Sequence, residues 1–583
     1  MRAFWHTQQG RSRFTFIQKA EDTYRSFSAS GRALFIFFAS LLVVSAVGLV
    51  FLLNQSLLVN VPAHGGSLAE GIVGAPRFIN PVLAISDADR DLSALVYSGL
   101  LKATPEGSYV PDIAESYDIS SDGRTYTFHL RHDTTFHDGT PITADDVIFT
   151  IQKTQDAALK SPVRANWDGV VVSSSDPYTV TFVLKGPYAP FIENATLGIL
   201  PKNLWQNISD DEFPFSELNV SPVGSGPFRV TSIERTSSGV PSSYKLVAFN
   251  GYALGKPYMD DITFRFYQNE SDLISALKSG AVEAASGISP AALSALSAFR
   301  VEHSSLNRVF GVFFNQNQSV VLRETAVRRA LNDAIDRDDL VQKILGGFGT
   351  PLDGPVPPSI LGRQAESTTT DIDMAIAKAQ DELIKAGWKL GPDGIMIKTT
   401  GSGKTAKTER LEFTLATGNV PELRAAADYV KTIWGRVGAD VTIQIYDQGD
   451  LSQNIIRPRK YDALLFGEVV GRELDLFAFW HSSQRNDPGL NIAGYANSTA
   501  DTLLEQLRQT SDQGKRATLY TQFNTELKKD IPAVFLYAPD FVYIVPNDLR
   551  GVTLGLVETP SDRFLSAQLW HKETDQVWPL FAR

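Results

Sequence analysis

The chain has 583 residues, 43% of them hydrophobic, a net charge of −11 and no cysteine. Without cysteine there is no disulfide, no lipid-modified thiol, no thiolate metal ligand and no thiol nucleophile. The acidic balance argues against nucleic acid, whose binding rests on clustered Lys and Arg. The first 32 residues hold six basic side chains (Arg2, Arg11, Arg13, Lys19, Arg25, Arg32) and two acids. An uncharged run, "ALFIFFASLLVVSAVGLVFLL" at 33–53, follows. At 1.5 Å per residue it matches the bilayer's hydrocarbon thickness. The basic flank places residues 1–32 in the cytoplasm and the chain after 54 outside. A cleaved signal peptide would have a shorter apolar core, so an uncleaved anchor is expected, with a short linker at 54–66.

The exterior part carries a net −15 once the basic start is set aside. "DADRDLSALVYSGLL" reads as a helix. "ESYDISSDGRTYTFHLR" reads as a hairpin, turning at Asp122-Gly123 with Tyr126, Phe128 and Leu130 inward. Thr143 and Asp146 have the spacing of a capping box that opens a helix through Thr154. Strands are expected at "YTVTFVLK" and "GPFRVTSI", and a helix with a following segment at "DLISALKSGAVEAASGIS". In the second half, helices ("ETAVRRALNDAI", "RDDLVQKILGG" stopped by Gly346-Gly347, "AIAKAQDELIKAGW", "PELRAAADYVKTIWGRVG", "DLSQNIIRP") alternate with strands ("LEFTLAT", "VTIQIYD", "YDALLFGEV"). That alternation predicts a parallel sheet covered on both faces.

No stretch carries catalytic chemistry. "KTTGSGKTAK" at 398–407 has the look of a phosphate-gripping loop, but Lys398 stands where the first glycine is required. The flank after it alternates like a strand, so a solvated hairpin tip is expected. His129, His132, His137, Asp133 and Asp138 crowd together without metal-ligand spacing. Asp145-Asp146 suits the first turn of a helix, and "GSG" at 224–226 leads into a proline and a strand rather than a helix. No enzyme activity, cofactor or metal is expected.

Several stretches in this order resemble the extracytoplasmic solute-binding proteins of peptide/nickel-type ABC importers, solute-binding family 5. They are "INPVLAISDADRDLSALVYSGLL", "PDIAESYDISSDGRTYTFHLR", "FHDGTPITADDVIFT", "VGSGPFRV", "LRETAVRRALNDAIDRDDLVQKILGGFGTP", "YDALLFGE" and "NIAGYANSTADTLLEQ". The resemblance implies an α/β, two-lobed, type II periplasmic-binding-protein fold with a small inserted α+β domain. By this analogy lobe one is 67–98, 224–308 and 541–583, the insert is 99–223, and lobe two is 309–540. It implies as partners a peptide or small polar solute, two permease subunits with separate ATPases, and the bilayer through the N-terminal helix.

The resemblance also points to ligand residues. Peptides in this family run along the backbone after the "YDA…G" strand, here Phe466, Gly467, Glu468, Val469 and Val470, with Ile85, Ser86 and Asp87 opposite. Peptide binders commonly read Gly-Trp-x-x-Asp there, the aspartate holding the ligand's ammonium. In this chain Glu468 replaces the tryptophan and Gly471 stands at the aspartate position, while Asp475 matches a structural position. Glu468 either faces solvent at a strand end or meets a cationic ligand group. The expected function is a membrane-anchored importer subunit; the alternative is a sensor or scaffold that kept the fold without transport.

Overall fold

The computed structural model describes residues 15–357, 371–401 and 406–582, and the chain divides into two units, Met1–Ala63 with Glu573–Arg583, and His64–Lys572. In the first unit, Ser28 caps the helix Ala29–Leu57 by accepting the Gly31 N–H, and none of the helix is buried. The helix outruns the apolar sequence by one turn, through Asn54, Gln55 and Ser56. The expected linker is in fact ordered. Its strand Val59–Pro62 pairs antiparallel with Thr574–Val577 from the other end of the chain. At four residues each, VNVP and TDQV are too short for a strand period to be read, so the pairing could not be seen in either segment alone.

The second unit is organised on a twelve-stranded sheet. One half contains Asp440–Tyr446, Glu412–Gly418, Ala463–Val469 and Arg308–Phe314; the other contains Ser67–Val73, Asp261–Tyr267, Pro241–Ala248 and Phe228–Arg235. The 13-residue strand Ala533–Val545 belongs to both. Its first residues pair with Arg308–Phe314, and its last six pair with Arg300–Ser305.

The parallel sheet expected for the second half of the chain is mixed. Glu412–Gly418 is parallel to Asp440–Tyr446 and Ala463–Val469, but Arg308–Phe314 is antiparallel to both its neighbours. Only a crossover connection forces parallel pairing. Arg308–Phe314 arrives instead directly from the strand Arg300–Ser305.

Side chains alternate across this half-sheet. Val312, Phe314, Leu415 and Leu465 pack with the helices Thr325–Asp333, Ile372–Lys385 and Pro421–Val437. Val309, Phe313, Ala416 and Leu464 pack with Ser498–Gln509 and Gln513–Asp530 on the opposite face. Each such Leu, Val or Phe contributes about 1.5–3 kcal/mol when removed from water.

A separate four-stranded sheet, ordered Ala114–Ile119, Thr125–Leu130, Thr179–Val183 and Val171–Asp176, has its own core around Tyr126, Phe128, Trp167, Phe182 and Phe191. Thr143 and Asp146 form the expected capping box, and Gly346 ends its helix in the left-handed region. Met396–Thr400 and Lys407–Arg410 pair antiparallel, so the 398–407 stretch lies on a hairpin; Lys404 is outside the described residues.

Candidate functional site

The strand Ala463–Val469 leads into the loop Val470-Gly471-Arg472-Glu473-Leu474-Asp475, and this loop is tied to distant parts of the chain. Val470 extends the ladder by donating to Asn307 O at 3.0 Å. Leu474 adopts φ +50°, a left-handed conformation uncommon for leucine. Tyr520 Oη, at 2.9 Å from Leu474 O, and Arg516, at 2.5 Å from Glu473 O, hold it there. Asp475 accepts from Arg508 at 2.6 Å and from Tyr188 Oη at 3.0 Å, which gives it a structural role.

Two groups from elsewhere meet this loop. The Glu193 carboxylate accepts the backbone N–H groups of Arg472 at 3.1 Å and Glu473 at 3.3 Å. The Arg472 guanidinium crosses to Asp562 at 2.6 Å and to Leu556 O at 3.1 Å. Asp562 also receives the Glu558 N–H at 2.7 Å. Three segments far apart in sequence therefore converge through charge-assisted hydrogen bonds, which are the strong kind.

Beside this junction lie two cavities of about 320 and 360 Å3. Glu193, Glu558, Thr196 and Leu197 line both. Arg472, Asp562, Lys102, Asp112, Tyr97 and Tyr252 line the first, and Gly471, Asp475, Tyr188 and Trp167 the second.

The electrostatics are unbalanced toward acid. Burial, then the neighbouring Glu193 and Asp562, push the Glu558 carboxyl well above the ordinary range. Burial also raises Asp562, against the opposing pull of Arg472. Asp112 is pushed up to about 6 by burial, with Lys102 opposing; Lys102 is lowered to about 8 by the same cause. Desolvation is the common factor, since it disfavours each charged form.

The residues expected to bind ligand are placed as follows. Ser86 caps the helix Asp87–Val96 in a capping box with Asp89. Ile85 and Asp87 are exposed, and Asp87 pairs with Arg90 at 3.3 Å. Pro81, Ala84 and Arg90, on either side of these three, line the first cavity. Phe466, Gly467, Glu468 and Val469 lie along Arg308–Phe314, with Gly467 against the Phe310 ring.

Glu468 is paired with Val309, so its side chain points into the core that Val309 shares with Trp480, and it is only 3% exposed. The solvent-facing reading of Glu468 is corrected: strand alternation turns it inward. Among the described residues, both carboxyl oxygens and the neighbouring Trp480 Nε1 lack a hydrogen-bond partner. Burial drives the Glu468 pKa well upward.

At Gly471 a side chain would meet another carboxylate, because a Cβ there would lie 3.3 Å from Glu193 Oε2. Glu193, Glu558, Asp562 and Arg472 were not among the expected residues. The missing aspartate at Gly471 was the one available signal, and it says that a carboxylate is absent without saying which distant one replaces it. The three histidine rings go to separate neighbours: His129 to Asp118, His132 to the Tyr178 ring, and His137 to Gly226 O.

The family described as bacterial extracellular solute-binding proteins, family 5 Middle, matches residues 108–488, more than half of the chain. The chain belongs to this family. Over 501 residues it is 28% identical to the oligopeptide-binding protein AppA of Bacillus subtilis (strain 168), covering 84% of this chain and 89% of that one. The structure of AppA in complex with a nonapeptide superposes with a TM-score of 0.64 at 25% identity, covering 88% and 99% of the two chains. CtaP of Listeria monocytogenes, an ABC transporter substrate binding protein, superposes with a TM-score of 0.72 at 26% identity, covering 88% and 100%. This solute-binding protein thus has the two-lobed type II fold with an inserted domain, preceded by one apolar helix. Its family is one of extracellular solute-binding proteins, binders and not enzymes.

Proposed function

We propose that this protein captures a peptide, or a related polar solute bearing a positive charge, in the cleft where the loop after Ala463–Val469 meets the inserted domain and lobe one. It then delivers the solute to a permease pair driven by separate ATPase subunits. In this reading the lobes are the two halves of the large sheet, joined at Arg308 and within Ala533–Val545. The observation that carries the reading is the carboxyl pair Glu193 and Glu558 on the wall of both cavities, with Glu193 against Gly471.

A buried ammonium or guanidinium without a counter-charge costs several kcal/mol, and these carboxyls supply the counter-charge. The strand end Phe466, Gly467, Val469 and Val470 and the loop Ile85, Ser86 and Asp87 flank the ligand's path, where main-chain hydrogen bonds give affinity without fixing sequence. The anchoring role expected of Glu468 passes to Glu193 and Glu558, because the Glu468 carboxyl is turned into the core. The helix Ala29–Leu57 stays uncleaved and holds the protein at the membrane surface.

The test is mass spectrometry of whatever co-purifies with the full-length protein, followed by calorimetry of that compound on parent and Glu193→Gln protein. A cationic or peptide ligand that binds more weakly to the variant supports the reading. A neutral or anionic ligand with unchanged affinity overturns it.

A further inference from the structure

The C-terminal tail of this protein carries an apolar cluster. After Val577 the chain reads Trp578-Pro579-Leu580-Phe581. Trp578 is 44% exposed, Leu580 83% and Phe581 71%. The cluster is ordered rather than loose, because Pro579–Phe581 forms a 3-10 turn closed by the Phe581 N–H on Trp578 O at 2.8 Å. Apolar side chains of this size are stabilised by leaving water, so three together in water need an explanation.

The strand pairing says where this cluster sits within its unit. Val59 is opposite Val577, and Pro62 is opposite Thr574. Ala63 adds a further rung by donating to Glu573 O at 3.0 Å. Because the strands are antiparallel, the tail leaves the ribbon at the end where the helix Ala29–Leu57 enters it. Trp578 therefore emerges level with Leu58, at the foot of that helix. The uncharged run ends at Leu53, and four more helical residues carry the axis roughly 6 Å beyond it. The headgroup layer is about 5–7 Å deep on each side of the hydrocarbon core. The cluster and that layer coincide. Tryptophan favours this depth because its ring is apolar and its N–H can stay wet.

We propose that Trp578, Leu580 and Phe581 form a second membrane contact, seated in the headgroup layer of the bilayer crossed by Ala29–Leu57. The contact rests on the reading of that helix as an uncleaved span. It makes both ends of the binding region membrane-attached: Ala63 leads into it from the span, and Lys572 leads out of it toward the tail. The hydrogen-bonded ribbon locks these two chain passes together.

The absence of cysteine allows a direct test in the full-length protein, reconstituted into phosphatidylcholine vesicles. Two single-cysteine proteins, Ala582→Cys and Val43→Cys, are labelled with an environment-sensitive fluorophore and challenged with lipids carrying shallow or deep nitroxides. The expected result is a blue-shifted label at 582, quenched more by shallow than by deep nitroxides and shielded from aqueous iodide, together with deep quenching at 43. Adding Trp578→Ser, Leu580→Ser and Phe581→Ser should abolish the shift and quenching at 582 and leave the label at 43 unchanged. A label at 582 that stays open to iodide while 43 is quenched overturns the tail contact and leaves the span intact. Loss of lipid quenching at both positions overturns the span itself.

Discussion

Asp562 and Arg563 are adjacent in the 3-10 stretch Pro560–Leu569, and they face two different ionic environments. Arg563 is wholly buried between Glu70 and Asp91, both at 2.7 Å, with Tyr543 Oη closing the set at 2.8 Å from Glu70. Its guanidinium also lies 4.0 Å over the Phe564 ring. Asp562 points the other way, onto Arg472 and the cavity walled by Glu193 and Glu558. The first cluster is sealed, and its guanidinium is fully engaged. Both clusters carry more carboxyls than cations, but only the second opens on space. Sealed charge of this kind holds a fold together at considerable desolvation cost; open, under-neutralised charge is available to a ligand.

The comparison breaks most visibly at Arg563. Arg563→Met should cost about 3–5 kcal/mol of stability, since it strands two carboxylates in the core. Chemical denaturation measures this, and adding Glu70→Gln with Asp91→Asn should restore much of the loss. A cost near zero would show that the triad is not what secures lobe one. On the open side, Glu193→Gln should cost only about 1 kcal/mol of stability, because its single amide oxygen can replace one of the two carboxylate oxygens that accept the Arg472 and Glu473 N–H groups. Affinity for a cationic ligand should drop by about 1.5–3 kcal/mol, the range for hydrogen bonds to charged groups. A variant that unfolds but binds normally would move Glu193 into the structural class.

What was legible in the sequence and what was not divides along the same line. The apolar helix, the hairpin around Asp122-Gly123, the Thr143–Asp146 capping box and the Gly346 stop all depend on residues within a turn or two of one another. Local chemistry was enough to find them. The junction at Arg472 depends on Glu193, 279 residues away, and Asp562, 90 residues away. No motif links these positions, and only the tertiary fold brings them together. The antiparallel course of Arg308–Phe314 was missed for a related reason, since strand direction follows the connection rather than the strand's own residues.

The open cluster should also bind in a pH-dependent way. Burial and the neighbouring carboxyls raise the Glu558 pKa, so the empty site holds a proton above the ordinary carboxylate range. A cation entering beside it favours the ionised form and releases that proton. Affinity should therefore tighten as pH rises toward the raised pKa, by up to about 1.4 kcal/mol per pH unit for one linked proton, and level off above it. Calorimetry in buffers of different ionisation enthalpy counts the protons. Uptake instead of release would reverse the assignment.

The smallest effect is expected at Glu468, which belongs to neither class: it is buried like Glu70 but pairs with no cation among the described residues. Its pKa is raised by burial, with the Trp480 indole as the one neighbouring polar group that opposes the shift. Below the ordinary glutamate pKa of 4.5, both folded and unfolded chains hold the proton, and the residue costs little through its charge. As pH rises past that value the unfolded chain releases its proton while the folded chain keeps it, so stability falls until the raised pKa is passed. Glu468→Gln cannot ionise and should escape this loss, although its amide would still lack partners in the same pocket. Thermal melts should therefore coincide in acid and separate toward neutral pH, with the variant the more stable there by at most about 1.4 kcal/mol per pH unit, since one linked proton is involved. Ligand affinity should not change, because the carboxyl faces the Val309–Trp480 core and not the cavities. A fall in affinity with no gain in stability would return Glu468 to the cleft and make it, rather than Glu193, the ligand's counter-charge.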